Sequence, residues 1–164
     1  MNIKKVSVER VDVTSSKPFA AVTAALEAAV GRPDMAKYIK ETEGAPTLAE
    51  MENAVQNAVG ASGFMMFLRL DLGAILRKET GLASPKIVRY LIGNPLIMRE
   101  MARHTPEVGS YAPVTTLVDE RRDGVHLSYD RMASLLAPYQ NADALGVARD
   151  LDSKVENLLA KIST

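Results

Sequence analysis

The 164-residue sequence contains no cysteine, and neither sign of charge is in excess. Without cysteine, disulfide bonds, thiolate nucleophiles and cysteine metal ligands are excluded. Lysine and arginine number 20, as do aspartate and glutamate, so net charge gives no attraction to nucleic acid or acidic lipid. No glycine-rich dinucleotide or phosphate loop is present, and we expect no cofactor.

Long hydrophobic runs are also missing. No apolar run approaches the roughly 20 residues of a membrane helix, and the first residues lack the apolar core of a secretory signal. We therefore expect a cytoplasmic protein that binds neither membrane nor nucleic acid. Apolar residues make up 47% and charged residues 24% of the chain, which together with its length indicates a single globular domain over residues 1–164.

Caps and turns divide the first third of the chain. Alternating valines predict a strand over residues 6–13, with a bulge near Glu9-Arg10 where the alternation slips. A helix follows, capped by Ser15 or Ser16 and ended by Gly31. Residues 32–46, which contain two prolines and a glycine, are expected to form a loop.

The remaining elements alternate between strands and helices. Thr47 and Glu50 form a capping box that opens an extra helix near 47–59. Asn94-Pro95 begins another helix, Asp123-Gly124 predicts a hairpin turn, and Asn141 opens a long final helix. Strands are expected at 64–72, 87–92, 114–120 and 125–129. This order predicts an α+β fold with a mostly antiparallel sheet.

Several short motifs resemble one bacterial family. They are the runs Arg89-Tyr90-Leu91-Ile92-Gly93-Asn94-Pro95-Leu96, Tyr111-Ala112-Pro113, Ser128-Tyr129-Asp130, Ser134-Leu135-Leu136 and Ala148-Arg149-Asp150-Leu151-Asp152. Together they look like the domain of unknown function family 302, most strongly over residues 62–162. The resemblance implies a fold of the TATA-binding-protein class: a curved sheet with helices on one side, a β-α-β(4)-α-like core, and a homodimer. It implies no activity. Relatives carry an Asp-His pair after the second strand, whereas Asp71 is followed here by Leu72, so no role of that histidine is carried over.

Alternation assigns the side chains of each predicted strand to two faces. In the second strand, Phe64, Met66, Leu68 and Leu70 are expected to face the helices, and Met65, Phe67, Arg69 and Asp71 to lie on the open face. The other strands add Ile87, Arg89, Leu91 and His126 to the open face. Such a mixed apolar surface often marks an interface or groove. A second subunit, a small apolar ligand, and the chain's own helix 47–59 or a loop are its three possible occupants.

Two alternatives involve chemistry. Arg69, Asp71 and His126 could converge as an acid–base or anion-binding cluster, or form ordinary cross-strand pairs. Met98, Met101 and His104 could bind copper or haem from one helix face, or the methionines could simply fill the core. The sequence favours a non-enzymatic homodimeric module that binds an apolar ligand or a partner protein across the sheet, because that evidence is spread over several strands.

Overall fold

A computed structural model describes residue 1 and residues 3–164. The strands of the described residues are β1 (Arg10–Ser15), β2 (Met65–Asp71), β3 (Ile87–Gly93), β4 (Val114–Arg121) and β5 (Gly124–Asp130). The helices are α1 (Phe19–Ala29), α2 (Met35–Glu43), α3 (Leu48–Ala58), α4 (Gly73–Thr80), α5 (Pro95–Ala102), α6 (Met132–Leu136) and α7 (Ala142–Ser163). Short 3-10 turns lie at Pro106–Ser110 and Ala137–Tyr139. These elements confirm the predicted α+β fold.

The five strands form one open sheet in the order β1-β5-β4-β3-β2, and every neighbouring pair is antiparallel. Side chains of β3 alternate as predicted: Val88, Tyr90 and Ile92 are buried, whereas Arg89 is exposed. We call the face that carries Tyr90 the inner face and the opposite face the outer face.

Helices cover the inner face. The main core joins α1, through Val22 and Leu26, to α7, through Val155 and Leu159, across the inner side chains of β3, β4 and β5. The long final helix begins where its cap predicts, because the side chain of Asn141 accepts a hydrogen bond from the amide of Ala144.

The extra helix predicted near 47–59 is α3. Its capping residue Thr47 accepts a hydrogen bond from the amide of Glu50, as the capping box requires. Together with α2, it buries a second small cluster formed by Tyr38, Val55, Ala58 and Met65. These two helices therefore pack at the beginning of β2.

Three predictions for the first third of the chain were wrong. Neither Ser15 nor Ser16 caps α1, which begins at Phe19 directly after Pro18 and has no side-chain cap. Residues 35–43 form a helix rather than part of a loop, because Asp34 caps the amide of Lys37 and Tyr38 finds a buried position. The first strand begins at Arg10 and pairs with β5 without a register shift. The slip in the valine alternation therefore marks the start of the strand and not a bulge.

A bulge occurs instead in β2. Met66 pairs with Ile92 and Leu68 pairs with Leu91, so the register shifts between Met66 and Leu68, at Phe67. One extra residue moves every later side chain to the opposite face. The predicted faces are therefore wrong beyond Phe67.

Candidate functional site

The outer face presents side chains in rows that cross the strands. The central row contains, in strand order, Asp12, Ser128, Leu117, Arg89 and Leu70. A neighbouring row contains Thr14, His126, Asp119 and Ile87. The outer face is therefore polar toward β1 and more apolar toward β2.

Apolar side chains on this face lie outside both buried clusters. They are Leu68, Leu70, Ile87, Leu91 and Leu117. Leu68 is 44% exposed and the other four are half-buried. Since α3 and its cluster reach only Met65 and Phe67 in β2, the described helices leave most of the outer face uncovered. The predicted open-face residues Ile87, Arg89 and Leu91 all lie on it, whereas Met65 is fully buried.

Arg89 lies in the middle of the apolar half. Its guanidinium donates a hydrogen bond of 3.0 Å to the Thr115 hydroxyl, and within the described part of the chain it forms no ion pair. Two shallow depressions of about 380 Å³ and 240 Å³ meet around Arg89, Thr115 and Asp130. Asp130 is already engaged, because Arg10 donates two hydrogen bonds to its carboxylate, at 2.6 Å and 2.8 Å. Arg89 is thus a cation of this surface that pairs with no carboxylate of the described residues.

His126 lies on the outer face as predicted but is only 8% exposed. Its Nε2 is 3.0 Å from Oδ1 of Asp123, and this hydrogen bond lowers the pKa of the Asp123 carboxyl. On the other side, Nδ1 is 3.5 Å from the Thr14 hydroxyl. Both ring nitrogens therefore face groups at the hairpin end of the sheet.

Arg69 and Asp71 lie on the other face of the sheet from His126. Past the bulge both point to the inner face, where Arg69 pairs with Glu27 of α1 at 3.1 Å and Asp71 with Arg77 of α4 at 2.7 Å. Two strands separate β2 from β5, so about 14 Å of sheet also lies between them. The three residues do not converge, and the prediction of one cluster is corrected.

Glu27 of α1 binds side chains of two neighbouring strands, β2 and β3, on the inner face. Besides pairing with Arg69, it accepts a hydrogen bond of 2.8 Å from the Tyr90 hydroxyl. Burial, followed by this hydrogen bond, raises the pKa of Tyr90 to about 12. The group ties β2 and β3 to α1, and its ion pair leaves Arg69 unavailable as an anion-binding residue.

Met98, Met101 and His104 do not share one helix face. Helix α5 ends at Ala102, so His104 lies beyond the last turn, where its Nδ1 is 4.0 Å from an oxygen of Asp143. Met101 is fully buried in the core. No group of three His, Asp or Glu residues that could hold a metal ion occurs among the residues that the structure describes. The helix therefore ends before it can bring the three predicted donors together.

A cavity of about 310 Å³ lies where β3 passes into α5. Its apolar wall is formed by Phe67, Ile97, Met98, Met101, Val114 and Leu151. Gly93, Asn94, Pro95, Gly109, Ala112 and Pro113 line the rest of the cavity, which is partly open to solvent. Sequence alternation missed this cavity because its walls come from five separate segments. The signal that could have indicated it is that three of the motifs that carry the family resemblance, those containing Gly93, Pro113 and Leu151, line this cavity.

Comparisons with known proteins find a protein family and a solved structure that resemble this chain. A family described as "Domain of unknown function DUF302" matches residues 39–162. The solved structure of an uncharacterized conserved DUF302 protein from Bacillus stearothermophilus is similar in fold, with a TM-score of 0.64 and 15% sequence identity. That similarity covers 94% of this chain and 98% of the other. None of the curated proteins matches the chain.

Among the residues described, no helix combines the length and the apolar character needed to cross a membrane.

Proposed function

The chain belongs to the DUF302 family, and we propose that it is a non-enzymatic homodimeric binding module whose outer sheet face packs against the same face of a second copy. A small apolar ligand or a different partner protein on this face is the alternative. We place this module in the bacterial cytoplasm.

The main support is the uncovered apolar half of the outer face. Leu91 and Leu117 are central to it, and Leu68 extends it to the edge strand. Exposed apolar areas of this kind are uncommon on monomers unless they serve as interfaces. Two sheets that pack face to face lie about 10 Å apart and interdigitate such side chains. A second copy that covers β3 and β4 would therefore remove Leu91 and Leu117 from water.

Charge complementarity favours a second copy over an unrelated partner. Asp12 and Arg89 occupy the same row at opposite sides of the sheet, and neither forms an ion pair with another described residue. A two-fold axis parallel to the strands, between β4 and β5, places β3 of one copy opposite β1 of the other and leaves β2 of each copy beyond the partner's edge strand. Arg89 of each copy then faces Asp12 of its partner, which is the self-complementarity that a two-fold interface needs.

A role without catalysis is supported by the separation of the candidate acid–base groups. Arg69 and Asp71 are paired on the inner face, and His126 lies on the outer face near the hairpin. Equal numbers of acidic and basic residues give no electrostatic reason to expect nucleic acid as a partner.

Sedimentation velocity tests the dimer. We expect the wild-type protein to sediment as a dimer at micromolar concentration and Leu91→Glu to sediment as a monomer. Ile75→Glu is the matched control, because Ile75 is a 75% exposed apolar residue on α4, away from the proposed interface. A wild-type monomer, or a dimer that survives Leu91→Glu, would refute the interface.

A charge exchange tests the proposed orientation. Arg89→Asp and Asp12→Arg should each weaken the dimer, because each places like charges opposite one another. The variant with both changes should regain the affinity lost by the single variants. Losses that simply add in the double variant would contradict the pairing of Arg89 with Asp12. Fractionation of the source bacterium, with the protein in the soluble cytosolic fraction, tests the cellular setting.

A further inference from the structure

We infer that the cavity between Phe67 and α5 is a binding site for a small, neutral, apolar molecule. This site lies at the end of the sheet, apart from the outer-face row of Leu117 and Arg89, and it does not rest on the proposed dimer. Its walls are the side chains of Phe67, Ile97, Met98, Met101, Val114 and Leu151.

The polarity of the wall selects the ligand class. Asn94 is the one polar side chain that the described residues contribute, and both ends of its amide are already used. Its oxygen accepts a hydrogen bond of 2.9 Å from the amide of Leu96, and its nitrogen donates one of 3.0 Å to the carbonyl of Gly63. None of the charged side chains that the structure describes lines the cavity. A water cluster or an ion would therefore find few partners there, whereas an apolar molecule loses none.

The size of the cavity limits the ligand further. An engineered apolar cavity of about 150 Å³ in another protein stays dry and binds benzene. The present cavity, at about 310 Å³, has roughly twice that volume, which corresponds to a two-ring hydrocarbon or a branched chain of about ten carbons. Met98 and Met101 provide flexible, polarizable walls that adapt to such shapes.

Gly93 in the wall allows the cavity to be reduced with little disturbance of the backbone. A side-chain carbon added there would lie 3.5 Å from Cβ of Pro113 and 3.6 Å from Cε2 of Phe67, which is ordinary van der Waals contact with two residues that line the cavity. Gly93 does not have a positive φ that a side chain would strain.

The experiment titrates naphthalene into the isotope-labelled 164-residue protein and follows backbone amide shifts by NMR. We expect saturable shifts at residues around Phe67, Met98 and Gly109. Gly93→Leu should weaken binding by at least about tenfold, and Gly93→Ala should weaken it severalfold. Gly146→Leu is the matched control, because Gly146 on α7 has open space around it and lies outside the cavity; its affinity should equal that of the wild type.

Three results would overturn the inference: no saturable binding, shifts that map to Leu91 and Leu117 instead, or wild-type affinity in Gly93→Leu. If Gly93→Leu does not fold, Gly93→Ala decides, and unchanged affinity there rejects the site. Arg89→Asp separates this site from the proposed dimer. It should bind naphthalene like the wild type whether or not it remains dimeric.

Discussion

The carboxylate of Asp152 on α7 accepts a hydrogen bond of 2.6 Å from the hydroxyl of Tyr129 on β5. The same carboxylate accepts hydrogen bonds from the amides of Met132, at 2.7 Å, and Ala133, at 3.1 Å. These amides begin α6, whose own N-cap residue Arg131 forms no side-chain hydrogen bond to the helix. A residue 20 positions away therefore caps this short helix and joins it to the sheet and to α7.

Replacing this carboxylate should destabilise the fold. Asp152→Ala leaves two helix amides and a buried hydroxyl without an acceptor, which costs about 3 kcal/mol of unfolding free energy. Urea denaturation followed by circular dichroism measures the loss. Asp150→Ala on the exposed side of the same helix is the control and should change the stability by less than about 0.5 kcal/mol. Equal stability of the two variants would show that Asp152 does not have this capping role.

The phenol of Tyr90 should make the fold sensitive to alkaline pH. Burial and its hydrogen bond to Glu27 raise the pKa of Tyr90 from its ordinary value of 10.0 to about 12. Below pH 10 the phenol is protonated in both states, so its contribution is fully present. Between pH 10 and pH 12 the unfolded chain releases the proton and the folded chain retains it, so stability falls by about 1.4 kcal/mol per pH unit.

Denaturation of Tyr90→Phe across this pH range tests the assignment. The variant should be less stable than the wild type at pH 8 because the hydrogen bond to Glu27 is lost. Between pH 10 and pH 12 its unfolding free energy should fall less steeply than that of the wild type, by the contribution of one proton. Tyr38, Tyr129 and Tyr139, whose pKa values are also raised, contribute to the slope that remains. Parallel curves for variant and wild type would mean that Tyr90 ionises normally in the folded protein.

Residues that restrict the backbone locally, such as helix caps, proline and turn glycines, predicted the ends of several helices and strands correctly. Asn94-Pro95 begins α5 because an asparagine cap and an N-terminal proline suit only the start of a helix. Gly124, with a φ of 142°, closes the hairpin between β4 and β5 that Asp123-Gly124 indicated. Strong alternation in Val88, Tyr90 and Ile92 likewise assigned the faces of β3 correctly.

Predictions that depended on regular residue spacing along a strand or helix were wrong where that spacing was interrupted. The segment from Met65 to Leu70 is apolar except for Arg69, so nothing in it marks Phe67 as an extra residue. No glycine or proline directly after Ala102 marks it as the last residue of α5. The three-residue spacing of Met98, Met101 and His104 therefore predicted a shared helix face that the structure does not have. The sequence therefore predicted that the sheet has an uncovered face. The three-dimensional structure was needed to show which residues of β2 lie on that face and that a cavity lies beside Phe67.

The hydroxyl of Thr116 offers a prediction of increased stability. Thr116 is fully buried between Tyr90 and Tyr129 in the sheet register, and its hydroxyl has no hydrogen-bond partner among the residues described. Both tyrosine hydroxyls are engaged elsewhere, with Glu27 and with Asp152. Valine has the same shape without the unpaired polar atom, so Thr116→Val should raise the unfolding free energy by about 1 kcal/mol.

The neighbouring threonine is the control for this change. Thr115 points to the outer face, where it accepts the hydrogen bond from Arg89. Thr115→Val should therefore be neutral or slightly destabilising in the same urea titration. A stability gain at Thr115 as large as at Thr116 would indicate that valine acts through its higher strand propensity. A loss at Thr116 would mean that its hydroxyl has a buried partner, such as an internal water molecule, that stabilises the core.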